Sequence, residues 1–183
     1  LYSQWEHRYT ISINTTAIGA DLRKDVYDFP LMVRLFGSYA EYIFSQSLPH
    51  GKDLRFCKSD GISPLSYEIE RWDPEAGFAE IWVNMDTVKG NSDAQYIYCY
   101  TGKADAVEKS SGPAVFSISR GHKAAWHMNQ SHVATHMDTI PYLRDASENA
   151  FHGDIKGFYT ENKTGGTIAG ALNLDGLDDY IDL

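Results

Sequence analysis

The chain has 183 residues, about one domain's worth at roughly 100–200 residues per domain. Its 43% hydrophobic and 22% charged residues are those of an ordinary globular protein. Lys+Arg 16 against Asp+Glu 25 leaves a formal charge of −9, which argues against nucleic acid and anionic membrane surfaces, because both require a basic footprint. No apolar run approaches the ~20 residues that cross a bilayer, so direct membrane insertion is not expected. The sequence opens on Leu1 and carries no secretion-type leader, as in a processed chain or an excised piece of a longer one.

Alternation of apolar and polar residues dominates, and helical periodicity is nearly absent. The pattern predicts strands over 8–14, 31–36, 53–57, 65–72, 78–85 and 95–100, then over 114–118, 124–128, 167–174 and 179–183. Turn signals separate them: Asp60-Gly61, the run 73–77, Gly90-Asn91, Gly112-Pro113 and Gly165-Gly166. Helix is expected only over 38–45 and 104–109. Many short strands between turns predict an all-β fold, an antiparallel β-sandwich of jelly-roll-like form. Composition shifts after Gly112, and 130–163 is rich in His, Asn, Asp and Gly with poor alternation. The expected organisation is a sandwich domain over 1–112 and a second β segment over 113–183.

Parity along the strands assigns faces. In the hairpin spanning 65–85, Leu65, Tyr67 and Ile69 share one face with Ala79, Ile81 and Val83 across the turn. Glu68, Glu70 and Trp72 are expected on the other face, with Phe78, Glu80, Trp82 and Asn84. The same reasoning points Cys57 outward with Asp53 and Arg55, and Cys99 inward with Ile97. Both are therefore expected as free thiols.

Five blocks carry a family resemblance. They are Trp5 with Arg8, Asp53-Leu54-Arg55-Phe56, Tyr67-Glu68-Ile69-Glu70-Arg71-Trp72-Asp73, Ala79-Glu80-Ile81-Trp82-Val83 and Tyr98-Cys99-Tyr100-Thr101-Gly102. In order and spacing, residues 1–128 resemble a bacterial and archaeal domain family of unassigned function. That resemblance implies a secreted or cell-surface protein, since the family also occurs beside TolQ/ExbB-type channel domains. Cys99 stands where an aliphatic residue is usual, and Thr101-Gly102-Lys103 replaces a Tyr-Gly-Asn ending. From Ala124-Ala125-Trp126-His127-Met128, through residues 145–153, to residues 170–181, the chain resembles the opening of a concanavalin-like, laminin-G-type lectin domain. This second resemblance implies a lectin-like segment that is truncated or docked on the first sandwich.

Trp72 and Trp82, with Glu68, Glu70 and Glu80, have the makings of a sugar platform. An aromatic ring stacks on the C–H face of a pyranose, and carboxylates accept its hydroxyl hydrogen bonds. The competing use of this face is structural, since Trp is usually well buried and the carboxylates can pair with Arg34, Arg55 or Arg71. Arg55 in particular is expected to pair with Glu68 or Glu70 across neighbouring strands. Trp72, at a strand end, is the leading carbohydrate contact, followed by Trp82 and Trp126, with Glu70 as a hydrogen-bonding partner.

Glu68 and Glu70 stand roughly 7 Å apart on one strand, within the ~6.5–9.5 Å of inverting glycosidases. Two acids side by side do not flank a bond from opposite sides, however, and no nucleophile elbow or His-Glu-x-x-His motif is present. Asp175, Asp178 and Asp179 supply hard oxygen ligands suited to Ca²⁺, and the lectin resemblance points to the same ion. His122, His127, His132, His136 and His152 lack zinc-ligand spacing.

The expectation is a non-catalytic accessory module, extracellular or at the cell surface, needing no cofactor, with calcium the ion its acidic cluster suits. Its expected partners are a polysaccharide or glycan and other domains of the same surface protein. The alternative is a structural spacer or protein–protein assembly module. A glycan-active enzyme using Glu68 and Glu70 is a third reading.

Overall fold

The structure, a computed structural model, describes residues 2–129, 142–157 and 163–183. The chain divides into two compact units, Leu1–Ser111 and Gly112–Leu183.

The first unit is a β-sandwich, as the alternation predicts. It runs β1 (His7–Ile13), β2 (Val26–Phe36), α1 (Gly37–Ser45), a 3-10 turn at Pro49–Gly51, β3 (Arg55–Lys58), β4 (Pro64–Leu65), β5 (Tyr67–Asp73), β6 (Phe78–Val88) and β7 (Gln95–Thr101). One sheet has the order β1-β7-β3-β4 and the other β2-β6-β5, with every neighbouring pair antiparallel. The predicted strand at 65–72 is in fact divided. The chain leaves the first sheet after Leu65 and enters the second at Tyr67, so Ser66 is where it changes layer.

The core lies between the sheets. Ile13, Phe56, Ile97 and Cys99 come from the first, and Val33, Ile81, Val83 and Met85 from the second. Phe56 and Tyr67 meet across the layers at 5.2 Å. Helix α1 forms where predicted and closes one end of the core with Ala40 and Ile43. Strand β2 begins at Val26, earlier than predicted, and runs through Pro30. A proline lacks a ladder donor, but β2 is an edge strand and tolerates it. The helix expected over 104–109 does not form. The chain instead follows the free edge of β5: the Ser111 N–H donates to the Tyr67 carbonyl, and the Ile69 N–H donates to Ser110 Oγ. Covering an open edge in this way removes a site of unwanted strand pairing.

Strand β5 departs from simple alternation. Its register pairs Glu68 with Trp82 and Ile69 with Ile81, then shifts so that Arg71 faces Glu80 and Trp72 faces Ala79. Glu70 is the extra residue of a β-bulge. One inserted residue reverses the parity of all that follow. Trp72 therefore joins the face of Ala79 and packs against the core, contrary to its expected place beside Glu68 and Trp82.

Cys57 and Cys99 lie on opposite faces of the first sheet and are free thiols, as parity predicts. The expected exposure of Cys57 is corrected: both are buried. The face of Cys57 is roofed by Tyr2 and Trp5, with Tyr2 stacked on Tyr100 at 4.5 Å. Burial pushes both thiols above their ordinary range.

The second unit has its own small core of Val115, Phe116, Leu143, Ala146 and Ile155. Its described elements are α2 (Gly112–Val115), a single helical turn, a 3-10 turn at Ile118–Arg120, β8 (Tyr142–Leu143), β9 (Gly153–Lys156), β10 (Lys163–Gly165), β11 (Gly170–Leu172) and β12 (Tyr180–Asp182). Strands β12-β9-β8 form one antiparallel sheet and β10-β11 a hairpin. The strand predicted over 114–118 is helical turn instead, because Pro113 fixes a helix-compatible φ at the start of α2. Residues 124–128 contribute one bridge, Trp126 to Asp145. The predicted strands 167–174 and 179–183 shorten to β11 and β12. Strands β8 to β10 fall where alternation is poor, being too short to carry a pattern. His132 and His136 lie outside the described residues.

Candidate functional site

A cleft of about 540 Å³ opens at the α1 end of the sandwich. Phe44, Ser47, Leu48, Pro49 and His50 form one wall, and Trp72, Asp73, Pro74 and Glu75 the other. Its volume falls within the ~300–1,000 Å³ of small-molecule sites.

Local sequence builds each wall. Pro49 opens the 3-10 turn, and His50 and Gly51 both take left-handed φ, 62° and 67°. A non-glycine residue in this region is uncommon, and here it bends the chain so that His50 lines the cleft. Gly51 is required by space as well as angle. A Cβ there would sit 3.1 Å from Cε3 of Trp72 and 3.0 Å from Cδ1 of Ile69. Phe44 meets Trp72 edge to face, with centroids 4.7 Å apart and planes at 86°. The indole is thus held by Phe44 and Gly51 while half-buried at the cleft wall. The bulge at Glu70 is what delivers it there.

Buried Asp53 fixes the same wall from below. Its Oδ1 accepts the Leu48 N–H at 2.7 Å, and its Oδ2 accepts the Gly102 N–H at 2.5 Å. Its carbonyl takes the Trp5 indole N–H at 2.7 Å. On the opposite wall, Asp73 Oδ1 accepts the Ala76 N–H and Oδ2 pairs with Arg71 at 2.9 Å. Those two partners hold the Asp73 carboxyl below its ordinary range. The cleft therefore offers an indole face, a phenyl edge, an imidazole, a serine hydroxyl and two carboxylates, a set able to hold an uncharged polyol by stacking and hydrogen bonds.

The predicted site residues do not come together. Trp72 is in the cleft. Trp82 and Glu70 meet on the outer face of the three-stranded sheet, where the indole Nε1 donates to Glu70 Oε2 at 2.6 Å. Glu80 is buried beside them and pairs with Arg34 at 3.2 Å. Trp126 belongs to the second unit and donates its indole N–H to the Phe151 carbonyl at 2.8 Å.

The expected pairing of Arg55 with Glu68 or Glu70 is absent, because β3 and β5 belong to different sheets. Arg55 donates instead to the carbonyls of Leu54 and Val107 and to the Tyr67 hydroxyl, and lies 5.4 Å from the Trp5 ring centroid.

Asp175, Asp178 and Asp179 bring three carboxylate oxygens within 4.8 Å of one another. A calcium ion takes six to eight oxygens, so this set supplies a minority of a shell. Asp175 Oδ1 also accepts the Leu177 N–H at 2.8 Å, and Asp179 Oδ2 accepts the Asp175 N–H at 2.9 Å. These bonds build a tight acidic turn.

A smaller cavity of about 220 Å³ lies near Lys58, Asp86 and Tyr96. Its two charges pair with each other.

Sequence reasoning missed Phe44, His50, Asp73 and Glu75. The signal was present in two turns, Pro49-His50-Gly51 and Asp73-Pro74-Glu75, but only the fold sets them face to face. Among the described residues, no helix is long and apolar enough to cross a membrane. No curated protein and no solved structure matches the chain. Residues 50–128, which include β3 to β7 and the Trp72 wall of the cleft, match the family described as a domain of unknown function, DUF2341.

Proposed function

We propose that the first unit is a non-catalytic glycan-binding module, working outside the cell or at its surface, and that the Trp72 cleft is where the sugar binds. The observation that supports this reading is the half-buried indole held by Phe44 and Gly51 in a cleft whose polar groups are a serine, a histidine and two carboxylates. An aromatic face takes the C–H side of a pyranose, and the rim groups take its hydroxyls. Glu68 and Glu70, the pair an enzyme reading would need, sit on one strand on the far side of the sheet from Trp72, and Glu70 already accepts the Trp82 indole.

The test is affinity electrophoresis of the chain in soluble plant, algal and microbial polysaccharides. Retardation by at least one polymer is expected, with loss in Trp72→Ala and retention in Trp82→Phe. Because Trp72 also packs on the core, the rim variant His50→Ala is measured alongside and is expected to weaken binding with the fold intact. No retardation of the wild type would leave the spacer reading in its place. Equal retardation of the wild type, Trp72→Ala and His50→Ala would remove the cleft as the site.

The exposed rings of Tyr39 and Tyr42 on α1 favour the second reading, a protein–protein assembly module. It predicts self-association or partner capture that fails in a Tyr39→Ala/Tyr42→Ala variant.

A further inference from the structure

The cleft does not end at Asp73. In the register of the three-stranded sheet, Asp73 of β5 lies opposite Phe78 of β6, and Phe78 lies opposite Phe36 of β2. Directly opposed residues share a face. The three therefore form a cross-strand row on the outer face at the end of the sheet. With strands ~4.8 Å apart, the row is about 10 Å long.

Its two phenyl rings are 40% (Phe78) and 61% (Phe36) exposed, at positions where solvated ends of sheets ordinarily carry polar residues. The Arg71 guanidinium lies 5.5 Å from the Phe78 centroid and also pairs with Asp73. One cation thus holds both the first ring of the row and the carboxylate at the cleft wall, making the row continuous with the cleft. Arg71's charge is matched by Asp73, and the nine residues lining the cleft include Glu75 but neither Lys nor Arg. That wall does not favour an acidic sugar.

Resting on the glycan reading above, we propose that the cleft and the row Asp73, Phe78 and Phe36 form one extended site for the interior of a polysaccharide chain lacking acidic groups. Trp72 anchors one residue of the polymer, and the two phenyl rings carry the units that follow. A short oligosaccharide fills the cleft alone, and a longer one reaches Phe36. Affinity then rises with chain length, and the rise depends on the two phenylalanines.

The test uses the full chain and begins with affinity electrophoresis in laminarin, xyloglucan, galactomannan and hydroxyethylcellulose, with alginate and heparin as acidic polymers. Disaccharide and octasaccharide fragments of a retarding polymer are then titrated by calorimetry into the wild type and a Phe36→Ala/Phe78→Ala variant. Both rings are exposed, so the variant is expected to melt as the wild type does. The expected result is retardation by a neutral polymer and an octasaccharide that binds about tenfold more weakly to the variant, with disaccharide affinity unchanged. Failure of every polymer to retard the wild type would overturn the glycan reading and this inference together. Retardation by the acidic polymers alone, or equal octasaccharide affinity in the two proteins, would overturn the inference and leave the cleft reading standing. Wild-type self-association that disappears in the variant would identify the row as a protein interface and likewise overturn it.

Discussion

The Trp82 indole donates a 2.6 Å hydrogen bond to Glu70, although the residue opposite Trp82 in the strand register is Glu68. Glu70 is the bulged residue of β5, and the bond holds the extra residue on the outer face. Everything beyond the bulge is then displaced by one position. Trp72 turns inward to meet Phe44 and Gly51, and Arg71 comes opposite Glu80. An outward-facing contact between Trp82 and Glu70 thus accompanies the inward placement of Trp72.

Deleting Glu70 is expected to restore plain alternation and drive Trp72 to the outer face, with loss of its packing. The cost should be about 3 kcal/mol or more, on the scale of removing a large aromatic from a core. Glu70→Ala keeps the bulge and loses the indole bond, at about 1 kcal/mol. Urea denaturation of both variants measures the difference. Equal midpoints would show that the bulge does not determine where Trp72 lies.

Arg55 stabilises the loops around β3 through the carbonyls of Leu54 and Val107 and the ring of Trp5. Arg55→Ala is therefore expected to destabilise the fold by about 1–3 kcal/mol, and to do so independently of the β5 acids. A double-mutant cycle with Glu70→Ala should give a coupling energy below about 0.5 kcal/mol. A coupling well above that would restore the ion pair that the separate sheets rule out.

Tyr67 is pushed up to about 12 by burial, with the Arg55 guanidinium opposing the shift. Its hydroxyl donates to the Leu54 carbonyl at 2.6 Å. The ordinary phenol value is about 10. A raised folded value means that the contribution to stability is complete below about pH 10 and is lost as pH rises towards about 12. Melting midpoints of the wild type should fall across that window. Tyr67→Phe should start lower by about 1 kcal/mol, for the missing hydrogen bond, and fall less steeply. Parallel alkaline limbs would show that another group is responsible.

Asp145 organises the second unit. Burial raises its carboxyl, and the N–H groups of Ala125, Ser147 and Phe151 with the Ser147 hydroxyl more than offset this, leaving it below the ordinary range. A depressed folded value gives stability that is present above about pH 4, the unfolded carboxyl's range, and is lost as pH falls below it. Asp145→Asn should destabilise the second unit at neutral pH and remove part of its acid sensitivity. Hydrogen exchange at the amides of Ala125 and Ser147, followed from neutral to acidic pH, reads this directly. Protection unchanged by the substitution would remove Asp145 from that role.

Alternation alone determined much of this protein. It identified six strands of the first unit, the single helix near its end, the inward face of Tyr67, Ile69, Ala79, Ile81 and Val83, and the opposite faces of the two cysteines. These follow from a period of two residues, which a sequence displays wherever a strand is long and has one face on a core. The tertiary structure decided what depends on partners remote in the chain. The bulge at Glu70 leaves no mark in composition, yet it moved Trp72 from the outer face to the cleft. The change of sheet at Ser66 placed Arg55 and Glu70 in different layers, and residues 2–5 buried a cysteine whose own strand pointed it outward. Two turns some twenty positions apart, Pro49-His50-Gly51 and Asp73-Pro74-Glu75, became one cleft only because α1 and β5 end side by side. A one-residue shift of register, or a segment folded back from elsewhere, changes what a side chain meets without changing its neighbours in sequence.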